Sequence, residues 1–208
     1  MMTIKTIIFD FGGVLYQTPD LKWLSRWKKV FGLQDDPEIA AILANPNESE
    51  LMDEICLGHV SEDVMWDLMA ERWHIKPDLL KKFKRNVTSK RMLNRPMVNL
   101  LSELHQGYQT GILSNAGDQT RGLMVDVFGL DKLVEEIVIS AEEGVIKPDP
   151  AIYDIALSRL DAKPETTLFL DDYLPNVEAA QDLGIAAVQF VDNRQVAGEI
   201  RTLLAEGA

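Results

Sequence analysis

Five residues bring the functional groups of a polar reaction centre to the ends of apolar runs: Asp10, Ser114, Lys147 and the pair Asp171-Asp172. A carboxylate can attack an electrophile or hold a cation, and a hydroxyl can hydrogen-bond a developing oxyanion. An ammonium neutralises charge, and an acidic pair suits a hard divalent cation. Each also has a plainer reading. Asp10 can be a loop or cap residue and Ser114 can cap a following helix. Lys147, before Pro148, can be a solvated loop lysine, and Asp171-Asp172 can complement a helix dipole. Their joint occurrence, in order along the chain, is what chance does not readily produce.

The elements that must position these groups follow one grammar. Ile4–Phe9 is short, apolar and β-branched, then stops at Asp10-Phe11-Gly12-Gly13. Gln109–Leu113 stops at Ser114, Glu136–Ile139 at Ser140, Thr167–Leu170 at Asp171, and Ala186–Val191 at Asp192. Lys147 falls in the loop after the third run. Helical spacing occupies Pro96–Gln106, Thr120–Phe128, Pro150–Leu160, Pro175–Leu183 and Val196–Ala205, with Gly107 and Gly184 placed to end two of these helices. Strands alternating with helices predict an α/β fold, a Rossmann-like, doubly wound parallel sheet covered on both faces. In such sheets ligands bind beyond the carboxyl ends of the strands, where all five residues lie.

Residues 16–91 break that rhythm. Apolar residues recur at helical spacing in Leu21–Phe31, Ile39–Leu43, Glu48–Leu57, Glu62–Trp73 and Asp78–Phe83, with no convincing strand. The expectation is an inserted α-helical cap domain, residues 16–91, within a core built from residues 1–15 and 92–208. The connections near Tyr16–Pro19 and Lys90–Pro96 would act as its hinges. All four tryptophans (Trp23, Trp27, Trp66 and Trp73) fall in the insertion, where they read as packing anchors.

Composition narrows the function. Of 208 residues, 33 are Asp or Glu and 21 are Lys or Arg, a net charge of −12. That balance argues against nucleic acid and anionic membrane surfaces as partners, while leaving room for a local pocket for a small phosphorylated molecule. The single cysteine, Cys56, excludes an internal disulfide and a four-cysteine zinc site, and sits among apolar neighbours as a small hydrophobe. No apolar stretch of the roughly 18 residues needed to span a bilayer occurs, so a soluble cytoplasmic protein is expected. His59, His74 and His105 lack mutual metal-ligand spacing. The basic run Lys81-Lys82, Lys84-Arg85 and Lys90-Arg91 reads as a solvated helix face and hinge, or alternatively as a guide for phosphate. Neither a dinucleotide-binding glycine fingerprint nor a P-loop occurs. The oligomeric state has no signal.

Four motifs, in order, resemble those of the haloacid dehalogenase superfamily, whose members are mostly phosphatases. Phe9-Asp10-Phe11-Gly12-Gly13-Val14-Leu15 is similar to the first and Ile112-Leu113-Ser114-Asn115 to the second. Gly144-Val145-Ile146-Lys147-Pro148-Asp149-Pro150 is similar to the third, and Phe169-Leu170-Asp171-Asp172-Tyr173-Leu174-Pro175-Asn176 to the fourth. The helical insertion falls where that family places a cap. The resemblance implies Asp10 as the nucleophile that forms an aspartyl-phosphate. Ser114 and the backbone N–H of Asn115 would bind the phosphoryl oxygens, and Lys147 would neutralise charge beside Asp10. Asp10, the Gly12 carbonyl and Asp172 would bind Mg²⁺, with Asp171 in support and Asn176 behind it. Such a cation and lysine are what an anionic nucleophile needs to approach an anionic phosphate.

One position departs from the pattern. Phosphatases of the family carry a second aspartate two residues after the nucleophile, as general acid and base; here that position is Gly12. The expectation is therefore a Mg²⁺-dependent hydrolase of a small phosphorylated metabolite, slow or favouring good leaving groups. The alternative is a binding or regulatory protein that keeps the fold without efficient chemistry. A dehalogenase is the minor alternative, since those relatives carry a tyrosine at the Gly12 position. A phospho-accepting signalling domain is disfavoured because its acidic pair precedes its acceptor aspartate.

Overall fold

The structure is a computed structural model that describes residues 3–17, 21–33 and 50–206. Five parallel strands form one sheet in the order β3-β2-β1-β4-β5. They are β1 (Thr6–Phe9), β2 (Gln109–Ser114), β3 (Glu136–Ile139), β4 (Thr167–Asp171) and β5 (Ala186–Gln189). The chain runs outward from β1 to β3, then crosses back to place β4 on β1's other side. That reversal puts a topological switch point, and its crevice, between the carboxyl ends of β1 and β4.

Strand alternation divides the apolar residues between two cores. Ile7 and Phe9 face one side with Leu168 and Leu170; Ile8 faces the other with Leu113, Val138 and Phe169. The first face is covered by α5 (Arg95–Leu104), by α6 (Thr120–Gly122) with its π-helical continuation Leu123–Phe128, and by α10 (Asn193–Glu206). After β3 comes the short α7 (Ser140–Glu143), and the second face is covered by α8 (Pro150–Arg159) and α9 (Leu174–Asp182), through Ile152, Tyr153, Leu157 and Ala180. All four residues of β1 are buried, as a central strand covered on both faces requires.

Two boundaries differ from the sequence reading for a local reason. The strand expected over Ala186–Val191 ends at Gln189, and α10 starts at Asn193 rather than Val196. Asp192 is responsible: its Oδ1 accepts the N–H groups of Arg194 and Gln195 at 2.8 and 2.9 Å, satisfying the first turn before the apolar stripe begins. Of the two glycines expected to end helices, Gly184 adopts φ 80°, whereas Gly107 is not left-handed. The helix before Gly107 already ends at Leu104.

Between β1 and α5 the described residues form helices and no strand of the sheet: α1 (Leu21–Phe31), α2 (Glu50–Cys56), α3 (Glu62–Arg72) and α4 (Pro77–Val87). The expected segment Ile39–Leu43 lies outside the described residues. Trp27, Phe31, Trp66 and Phe83 pack ring to ring at 5.1–5.8 Å, so Trp27 and Trp66 are packing anchors. Where the insertion meets the core, the two elements cap each other. The Glu62 N–H donates to Asp118 Oδ1 at 2.9 Å, while Glu62 Oε1 accepts from the Gln119 N–H and the Thr120 hydroxyl at 3.3 and 3.2 Å. The two connections to the core run side by side: Gln17 N–H donates to the Met92 carbonyl and Asn94 N–H to that of Leu15, at 2.7 and 2.9 Å. Among the described residues no helix is long and apolar enough to cross a membrane.

Candidate active site at the ends of β1 and β4

Register brings the motif residues together. Phe9 pairs with Ile112 on one side and Leu170 on the other, so Asp10 emerges level with Leu113 and Asp171. The Asp10 N–H donates to the Leu170 carbonyl at 2.7 Å, which fixes the direction in which its carboxylate leaves the sheet. Asp171 is the last residue of β4 and Ser114 the last of β2. Both are strand residues rather than loop residues. The reading of Ser114 as a helix cap fails, because the next helix starts only at Thr120.

Lys147 is the centre of the arrangement and no solvated loop lysine: it is 3% exposed. Its ammonium donates to Asp10 Oδ1 at 2.9 Å, to Asp171 Oδ2 at 2.6 Å and to the Leu113 carbonyl at 3.0 Å. An ammonium has three N–H bonds, so all three are committed. Burial alone would draw its pKa down, but the facing carboxylates of Asp10 and Asp171 outweigh that and hold it above the ordinary lysine range. Asp10 moves up as well. Burial lifts its carboxyl well above the usual range, Lys147 pulls against that, and the charge of Asp171 adds to it. One ammonium thus serves two buried carboxylates.

Asp171 is fully buried and saturated. Besides Lys147 it accepts from the Tyr173 N–H at 2.8 Å and from Asn176 Nδ2 at 3.1 and 3.0 Å. Asp172, one residue on, is exposed toward the opening. The desolvating wall around it, reinforced by the charge of Asp171, still pushes its carboxyl up to about 6. Asp10, Asp171 and Asp172 each offer an oxygen within 4.8 Å of the others. Gly13 makes that approach possible. It adopts φ 73°, and a Cβ there would lie 2.1 Å from the Asp172 carboxylate. Gly12 has no such constraint: its φ is not left-handed, and a Cβ would meet nothing within 4 Å.

These groups face a cleft of about 810 Å³. Of the residues expected to form the site, Asp10, Gly12, Asn115, Lys147, Asp171, Asp172 and Asn176 line it, whereas Ser114, 1% exposed, lies behind the wall. Asn176 is buried, and its Oδ1 has no partner among the described residues, an acceptor that a bound water would satisfy. The Asn115 side chain has a role the motif alone does not suggest. Its Oδ1 accepts the Lys147 N–H and its Nδ2 donates to the Lys147 carbonyl, both at 2.8 Å, clamping the lysine's backbone. The insertion closes the opposite wall with Met52, Asp53 and Cys56 from α2. Nothing in the sequence singled out Met52 or Asp53, because a helix's facing residues become legible only once its docking is known. Neither the three histidines nor the basic run of α4 lines the cleft.

The chain matches the haloacid dehalogenase-like hydrolase family model over residues 7–190. It is similar to a sesquiterpene phosphatase of Aspergillus oryzae, 26% identical over 203 residues that cover 97% of each chain. It is also similar to the pyrophosphatase PpaX of Bacillus mycoides, 24% identical over 190 residues, 90% of this chain and 83% of that one. Among solved structures, a HAD-like family hydrolase from Porphyromonas gingivalis shares the fold with a TM-score of 0.73 at 23% identity, covering 98% of both chains. A HAD family enzyme from Bacteroides thetaiotaomicron, in complex with magnesium and inorganic phosphate, does so with a TM-score of 0.71 at 20% identity, covering 89% of this chain and 93% of that one. With the sheet order, the four motifs gathered at the cleft and a family match over most of its length in agreement, the chain belongs to the haloacid dehalogenase-like hydrolases.

Proposed function

We propose that this hydrolase is a Mg²⁺-dependent phosphatase of a small phosphorylated molecule, with Asp10 as nucleophile and residues 16–91 as the cap domain over the cleft. The observation that carries the reading is the buried set Asp10–Lys147–Asp171 at the switch point, opening on a cleft with an exposed carboxylate, Asp172, at its edge. The similarity to a sesquiterpene phosphatase and to a pyrophosphatase supports phosphorus as the electrophile.

The donor set fits a hard cation, since Asp10, Asp172 and the Gly12 carbonyl are all oxygen ligands. Asp171 is the poorer ligand because both its oxygens already accept hydrogen bonds. Bound Mg²⁺ would supply charge neutralisation for the phosphoryl oxygens. Lys147 holds Asp10 by Oδ1, leaving Oδ2 to attack. A bond then forms between Asp10 and phosphorus as the bond to the leaving oxygen breaks with its electron pair. Water subsequently hydrolyses the acyl phosphate, returning the carboxylate and releasing phosphate. Because all three Lys147 protons are committed, its first task is to hold Asp10 and Asp171. It donates to phosphate only by releasing one of those acceptors. In this reading the Asn115 N–H supplies the phosphoryl contact, since Ser114 lies behind the cleft wall.

Gly12 offers no side chain to protonate the leaving oxygen, which favours esters of good leaving groups. Phosphate release from an aryl phosphate, measured with Mg²⁺ and again after chelation, tests the proposal. Asp10→Asn and chelation should each abolish turnover. Undiminished release by Asp10→Asn in a folded protein would exclude the mechanism.

A further inference from the structure

On the reading of Asp10 as phosphoryl acceptor, we propose that the cleft selects phosphate monoesters whose organic group carries no second negative charge, and that Asp53 enforces this choice. The charge inventory carries the argument. Among the described residues, four carboxylates line the cleft (Asp10, Asp53, Asp171 and Asp172) against a single ammonium, Lys147. That ammonium has no free N–H. A substrate with a second phosphate or a carboxylate needs another cationic donor at the far wall, and among the described residues no arginine, histidine or further lysine stands there. Within the insertion, Lys84 is paired with Asp63 at 3.0 Å.

What stands at that wall is Asp53. It is half-buried on α2, and its carboxylate has no hydrogen-bond or ion-pair partner among the described residues. The same cleft also presents apolar surface, from Met52, Cys56, Ile146, Pro148 and the ring of Tyr16. Burial pushes the Cys56 thiol up to about 12, with the charges of Asp53 and Glu62 adding to the shift, so it presents a neutral surface. An uncharged organic group gains apolar contact with this wall, and a hydroxyl on it finds an acceptor in Asp53. An anionic group instead loses hydration beside a carboxylate that repels it, and discrimination by repulsion of this kind needs no dedicated contact with the preferred substrate.

A matched pair of esters tests this. 4-Propylphenyl phosphate and 4-(2-carboxyethyl)phenyl phosphate release phenols of similar basicity, leaving groups that need no proton, and differ by one charge. With Mg²⁺ at constant ionic strength, kcat/KM for the carboxylated ester should be at least about tenfold lower, and Asp53→Asn should shrink that ratio to within about threefold. Asp53→Lys should reverse it. Equal rates on the two esters, or a ratio unmoved by Asp53→Asn, would overturn the proposal. Calorimetry with the corresponding phosphonates separates it from the reading it rests on. Tighter binding of the phosphonate that lacks the carboxylate, without turnover of either ester, would uphold the charge selection and retire the phosphatase assignment. Turnover of both esters without preference would do the reverse, and binding of neither phosphonate would end both.

Discussion

Replacing Gly12 by aspartate restores a carboxyl two residues after the nucleophile, and the structure permits it. The backbone there is not left-handed, and the space a Cβ enters is open for 4 Å. The new group would join a cluster whose carboxylate oxygens lie within 4.8 Å of one another. At a separation of about 4.8 Å and an effective dielectric of about 20, one like-charge pair costs about 3 kcal/mol. Converted at about 1.4 kcal/mol per pKa unit, that cost lifts an aspartate from about 3.9 to about 6. A carboxyl in that range is protonated often enough to act as a general acid near neutral pH, a contribution of about 10²–10⁴-fold. Only esters that need the proton should benefit. Gly12→Asp should raise kcat for an alkyl phosphate by about 10² or more while changing an aryl phosphate by less than about tenfold. Phosphate release on both esters, with a thermal melt as the control for strain, reads the result. An unchanged alkyl-to-aryl ratio in a variant that melts like the parent would refute the reasoning, because another group must then already supply the proton.

The acidic pair should separate into two phenotypes. Asp172→Ala, at an exposed carboxylate, should abolish calorimetric Mg²⁺ binding and leave the melting temperature nearly unchanged, whereas Asp171→Ala strips a buried ammonium of a 2.6 Å partner. The second loss costs about 3 kcal/mol, or roughly 6–12 °C in a domain of this size. The Asp172 carboxyl, pushed up to about 6, must lose its proton to bind a cation, so Mg²⁺ affinity should fall about tenfold from pH 7 to pH 5. A flat pH profile would place the metal on other ligands. Gly13→Ala should weaken Mg²⁺ binding as Asp172→Ala does, because its methyl group would occupy the space of the Asp172 carboxylate. Asp149→Ala removes the cap whose Oδ1 accepts the Ala151 N–H at 2.9 Å, and should cost about 1 kcal/mol by denaturant titration with no change in kcat.

Much of this protein was legible one element at a time. Short apolar runs that stop at Asp10, Ser114 and Asp171 are a local property of the chain, and so is the helical spacing between them. Parallel pairing with the polar groups at one edge then follows from the burial each pattern demands. Charge balance and the one cysteine are likewise written in composition. Pairwise geometry is not. That Lys147 is buried and fully committed, rather than solvated before Pro148, depends on β1, β2 and β4 meeting in one register across more than 130 residues of chain. The division of labour within Asp171-Asp172 has the same origin. Two identical side chains one residue apart point to opposite sides of the last β4 position, so Lys147 and Asn176 engage one and Gly13 backs the other. Asp53 entered the site only because α2 docks over it. Helical periodicity states which residues share a face but not what that face covers, since docking is a balance of contacts between elements far apart in the chain.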